Sequence, residues 1–117
     1  IGGDSRFEDA FRLFLDFDGK GSSALSGISV QAASAQPVSL PVYAIESKGA
    51  LLVYLFNKSD SIAAEAELTT DKAYSSLRLF RLSQTQRLGE LSAPGWRGGP
   101  LKLVLPPWSV TLAVLNP

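Results

Sequence analysis

Apolar residues recur along this chain with two different periods, every three to four residues near the start and every second residue from about residue 28 onward. In the first stretch Phe7, Ala10, Phe11 and Phe14 share one helical face, while Arg6, Glu8, Asp9, Arg12 and Asp16 fall largely elsewhere. Ser5-Arg-Phe-Glu8 has the spacing of a capping box, and Asp18-Gly19 supplies a stop. The pattern predicts a helix over Arg6 to about Asp16. Its large aromatic face is more than so short an element needs, which fits packing on a bulky neighbour or across its own β-domain.

Beyond Gly19-Lys-Gly-Ser-Ser the alternation predicts strands at Ile28 to Ala33, Leu40 to Glu46, Ala50 to Asn57, Ile62 to Thr69, Ser76 to Leu82, Leu101 to Leu105 and Ser109 to Leu115. Turn residues such as Ser47-Lys48-Gly49 and Asn57-Lys-Ser-Asp60 separate them. Two strands are apolar on both faces: Leu51, Val53 and Leu55 back onto Leu52, Tyr54 and Phe56, and Val110, Leu112 and Val114 onto Ala113 and Leu115. Both are expected at the centre of a sheet. Glu65 and Glu67 among Ala64, Ala66 and Leu68 predict one wet face. Arg78 and Arg81 interrupt the pattern around Leu79 and Phe80, which predicts a bulge. The least regular stretch, Ser83 to Gly99 around Trp96, reads as a hairpin or excursion at a sheet edge.

Short strands at this spacing predict an all-β, antiparallel β-sandwich of about seven to eight strands with one N-terminal helix. The helix segment occupies residues 1–18 and the sandwich residues 19–117. The final Pro100 to Asn116 stretch, two apolar strands around Pro106-Pro107, fits the closing pair of such a fold.

Eleven basic and eleven acidic side chains leave no net charge, so neither nucleic acid nor an anionic membrane is expected as a partner. The longest apolar runs fall far short of the ~20 residues that span a bilayer as a helix. With no methionine and Ile1 at the start, the sequence is expected to be a piece of a longer protein, either trimmed of a leader or taken from a multidomain chain. The aromatic helix favours the second.

The chemistry is mostly exclusion. Without histidine or cysteine there is no imidazole base, no thiolate nucleophile, and no sulfur or imidazole metal ligand. Glu65 and Glu67 could pair as glycosidase carboxylates, but their place among alanines fits a solvated face. Glu46, just before a Lys-Gly turn, reads as a rim charge. Asp16-Phe-Asp18-Gly-Lys-Gly21 opens like a calcium loop and then fails, with Lys20 at position five and Gly27 at position twelve. A helix stop followed by a glycine turn explains it better. No catalytic residue, cofactor or metal is expected in this chain.

Aromatic residues are the remaining lead, because sugar-binding modules lay Trp and Tyr flat against pyranose faces. Trp96, in Pro94-Gly-Trp-Arg-Gly-Gly99, and Trp108, after Pro107, are the candidate carbohydrate contacts. The structural reading is that Trp96 pins its loop to the domain, while Trp108 plugs the sandwich end or meets a neighbouring domain.

Ala10-Phe-Arg-Leu-Phe-Leu-Asp-Phe-Asp-Gly-Lys-Gly-Ser22, Ile28-Ser-Val-Gln-Ala, Val42-Tyr-Ala, Leu52-Val-Tyr-Leu-Phe-Asn-Lys58 and Leu105-Pro-Pro-Trp-Ser-Val-Thr-Leu112 together resemble the C-terminal portion of retaining glycoside hydrolases with a (β/α)8 barrel. The similarity is to family 44 endoglucanases above all, with families 39, 51, 30 and 79 sharing the layout. It covers nearly the whole chain through short apolar motifs. The resemblance implies that the helix is the last of the barrel, that the sandwich packs on that barrel as its partner, and that the enzyme is secreted and acts on plant-type polysaccharide. The family's catalytic glutamates lie in the barrel, and no position here corresponds to them. The implied function is a non-catalytic accessory domain; the alternatives are an independent carbohydrate-binding module using Trp96 and nearby aromatics, and a protein-interaction sandwich.

Overall fold

The computed structural model describes residues 12, 13, 17, 41–59, 61–70, 72–92, 96 and 98–117, together with the backbone of 28–30. Of the helix expected over Arg6 to Asp16, only Arg12 and Leu13 are among them, both helical. The rest of that element lies outside the described residues, as do 31–33 of the first expected strand and Leu40 of the second.

Among the described residues the fold is all-β, with eight strands in two antiparallel sheets: β1 (Ile28–Val30), β2 (Val42–Ser47), β3 (Ala50–Asn57), β4 (Ala64–Leu68), β5 (Ser76–Ser83), β6 (Gly89–Leu91), β7 (Leu101–Leu105) and β8 (Ser109–Asn116). Six form one sheet in the order β1-β2-β3-β8-β5-β6, and β4 pairs with β7 in a two-stranded ribbon. The antiparallel architecture is as expected, but the two layers are unequal. The strands that read as apolar on both faces, β3 and β8, do lie at the centre, paired from Leu51↔Leu115 to Asn57↔Ser109. A central strand must bury both faces, and these have side chains to do it.

Each face of the large sheet has its own core. One cluster joins Ala44, Leu51, Val53, Leu55, Leu79, Ala113 and Leu115 to Leu101 and Leu105 of the ribbon. The other lies on the opposite face, where Leu52, Tyr54, Phe80, Leu112 and Val114 meet Leu13 and Phe17. The Tyr54 hydroxyl donates to the Leu13 carbonyl at 3.0 Å, and the Phe17 and Phe80 rings meet edge to face at 5.2 Å. Among the described residues, Leu13 and Phe17, four residues apart, are the N-terminal side chains seated on the sheet. The stripe of Phe7, Ala10, Phe11 and Phe14 read from the sequence lies outside the described residues.

The bulge expected in β5 is absent. Its pairing with β8 runs unbroken from Ser76↔Asn116 to Ser83↔Ser109. What looked like a slip is a two-faced strand carrying an arginine on each face. Arg78 makes a bidentate ion pair with Glu90 of β6, with both contacts at 3.0 Å, and its guanidinium lies 5.0 Å from the centre of the Phe80 ring. Arg81, on the other face, donates to Thr111 Oγ1 and to the Val104 carbonyl, each at 2.9 Å. Burial lowers its pKa from the usual arginine value. Satisfied in this way, both cations are tolerated where the alternation alone would place apolar residues. The irregular Ser83 to Gly99 stretch contains β6, a short edge strand paired to β5 through Leu79↔Leu91, Phe80↔Glu90 and Arg81↔Gly89.

The β2–β3 hairpin closes on Lys48 and Gly49, both at positive φ (52° and 84°). That is the sign pattern a two-residue turn needs to match the strand twist.

Candidate binding groove

One end of the large sheet presents an aromatic surface. The register sets Leu82, Val110 and Phe56 side by side on β5, β8 and β3, one step beyond the residues that Leu13 and Phe17 cover. Tyr43 of β2 joins them, its ring edge to face with Phe56 at 5.7 Å and 89°. Trp108 stands at the rim. Together with Asn57, Lys58, Ser83 and Gln84 these residues line a groove of about 730 Å³, a volume in the range of small-molecule sites. Tyr43 is 60% exposed and Trp108 is 48% exposed.

Trp108 is held there by a chain of hydrogen bonds that starts at Asn57. Asn57 is buried; its amide donates to the carbonyls of Ile62 and Leu105, each at 2.9 Å, and its Oδ1 accepts from Ser59 N at 3.0 Å. The Ser59 carbonyl then accepts from Trp108 N at 2.9 Å, and the Trp108 carbonyl accepts from Gln84 N at 3.1 Å. Between these two bonds Trp108 has φ of 47°, in the left-handed region. A residue with a bulky side chain gives up about 1–2 kcal/mol there. Glycine would occupy the position without strain.

Trp96 lies on the other face of the sheet. It is half-buried against the first core cluster, and its Nε1 is buried without a hydrogen-bond partner among the described residues. Nearby, Gly98 sits at φ of 103° with the Tyr74 carbonyl 3.0 Å from where a Cβ would stand, so the loop closes against the domain there. The two tryptophans therefore share no surface.

The acidic candidates are separated too. Glu65 and Glu67 are exposed on β4, where Glu67 pairs across the ribbon with Lys102 and Glu65 with Val104. Both carboxylates are exposed on the same face of one strand and line a shallow depression with Lys102, Leu103 and Val104, rather than facing each other across a sugar-binding cleft. Glu46 forms an exposed 3.4 Å ion pair with Lys72. The calcium-like loop from Asp16 lies outside the described residues except for Phe17. Among the described residues no cluster of three or more acidic side chains could hold a metal ion, and no helix is long and apolar enough to cross a membrane.

Sequence reasoning missed Tyr43 and Phe56. Each reads as an ordinary strand residue, and only the strand register brings them to Trp108.

No protein-family model matches the chain, and no curated protein sequence does. Solved structures do. A xyloglucanase of glycoside hydrolase family 44 from Paenibacillus polymyxa superposes over 100% of this chain with a TM-score of 0.86 at 24% identity. The chain shares its fold with part of the family 44 enzymes. A bifunctional glucanase-xylanase protein from a metagenome library matches over 92% of the chain, with a TM-score of 0.81 at 28% identity. A family 30 subfamily 8 xylanase from Clostridium acetobutylicum also matches over 92%, with a TM-score of 0.71 at 17% identity. The chain spans only about a quarter of these proteins: 24%, 21% and 26% of their lengths in that order.

Proposed function

We propose that this chain is a non-catalytic β-domain of a secreted glycoside hydrolase acting on plant-type polysaccharide, and that it stabilises a catalytic (β/α)8 barrel by packing against it. The observation that carries this reading is the second core. One face of the large sheet is covered by Leu13 and Phe17, which belong to the segment that the family resemblance makes the last barrel helix. A sheet face clamped by that segment holds the domain rigidly to whatever the segment belongs to. The lack of histidine and cysteine, and the open placement of the carboxylates, support a role without chemistry of its own.

Two measurements test it. The purified chain is expected to release no reducing sugar from xyloglucan, mixed-linkage β-glucan or xylan. Added to a family 44 enzyme from which the equivalent segment has been removed, it is expected to associate and raise the melting temperature of that barrel. Turnover by the chain alone, or failure to associate with and stabilise the truncated barrel, overturns the reading.

Carbohydrate binding is favoured as a second role by the exposure of Tyr43 and Trp108 in the groove.

A further inference from the structure

We propose that the groove between Tyr43, Phe56 and Trp108 is a binding site for an uncharged glycan chain, with sugar rings stacked on Trp108 and Tyr43. The glycan class rests on the glycosidase reading above; the site itself rests on the geometry.

The first argument is the way Trp108 is presented. Its backbone is fixed from both sides, through Ser59 and Gln84, in a conformation that disfavours a large side chain. Those two bonds need only the backbone, which glycine would supply at this φ without strain. The side chain gains nothing from full burial either, being 48% exposed. Strain maintained around a rigid, half-exposed aromatic ring is accounted for by what the ring contacts outside the domain.

The second argument is the chemistry of the lining. Three aromatic rings, Leu82 and Val110 form the floor and walls, Asn57, Ser83 and Ser109 lie buried beneath them, and among the described lining residues Gln84 and Lys58 supply the exposed polar edge. A neutral sugar ring has apolar C–H faces for the aromatics and hydroxyl edges for the exposed Gln84 amide. Among the described lining residues Lys58 is the one charge, so neither a polyanion nor a cationic ligand meets a set of opposite charges there. The charge balance of the groove therefore matches a neutral glycan.

The experiment titrates the folded chain with xyloglucan and mixed-linkage β-glucan by calorimetry, for the wild type, Trp108→Gly and Tyr43→Ala. Trp108→Gly removes the ring and the strain together, so its melting temperature should hold or rise. The expected result is saturable binding by the wild type, weakened at least tenfold in Trp108→Gly and clearly reduced in Tyr43→Ala. Unchanged affinity in a folded Trp108→Gly overturns the proposal, as does absence of binding to either glucan. If the substitutions instead weaken association with the truncated barrel and leave glucan binding untouched, the groove is a protein contact and the glycan proposal fails while the accessory-domain reading stands. Glucan binding lost in Trp108→Gly, together with failure to associate with the barrel, supports the groove and overturns the other reading.

Discussion

Single side chains hold this fold at points where a polar group has been taken out of water. Tyr54 is the clearest case: wholly buried in the centre of β3, it donates to the Leu13 carbonyl and so ties the N-terminal segment to the sheet. Burial raises its pKa well above the usual value for a tyrosine phenol, about 10. In alkali the unfolded chain therefore releases this proton before the folded one does. The stabilisation is full below about pH 10 and is lost as pH rises beyond it. Replacing Tyr54 with Phe should cost about 1 kcal/mol at neutral pH, from the unpaired carbonyl. It should also flatten the alkaline fall in stability, measured by urea unfolding from pH 8 to 11; an unchanged alkaline slope would show that Tyr54 is not the buried phenol. None of this partnership was readable beforehand, because Leu13 and Tyr54 are 41 residues apart. The same holds for Asn57, which looked like a turn residue and is a buried hub.

At the scale of elements, alternation carried most of the information. β3, β7 and β8 fall within a residue of their expected spans, and the two-faced apolar pattern placed β3 and β8 at the centre of the sheet. The pattern failed where a charge does the work of an apolar residue. Arg81 reads as an interruption, yet it bridges the layers by bonding Thr111 in the large sheet and Val104 in the ribbon. A two-stranded ribbon is marginal by itself, so such cross-layer bonds matter to it. Arg81→Met should leave the length of β5 intact and loosen the ribbon selectively. Amide exchange in β4 and β7 is expected to quicken at least tenfold, with β3 and β8 remaining protected. Uniform acceleration across both sheets would mean that Arg81 supports the whole fold rather than the ribbon.

For the whole molecule, two-faced central strands imply that something covers each side of the large sheet, but they do not say what. Structure supplies two different answers. The ribbon closes one side with Leu101 and Leu105, and the N-terminal segment closes part of the other with Leu13 and Phe17, leaving the Tyr43–Phe56–Trp108 end open. The second closure decides whether the chain is one cooperative unit or a β-domain with a detachable segment. It can be measured through the Phe17–Phe80 contact, where an edge-to-face pair is worth about 0.5–1.5 kcal/mol beyond its buried area. A double-mutant cycle of Phe17→Ala and Phe80→Ala should therefore give a coupling of that order. Phe80→Ala alone should cost about 3–5 kcal/mol, because the ring is buried between both sides of the contact. Coupling near zero would mean that the segment leaves the sheet in solution. The exposed face would then run unbroken from Val114 to Trp108, and the barrel-anchoring role proposed for that segment would lose its physical basis.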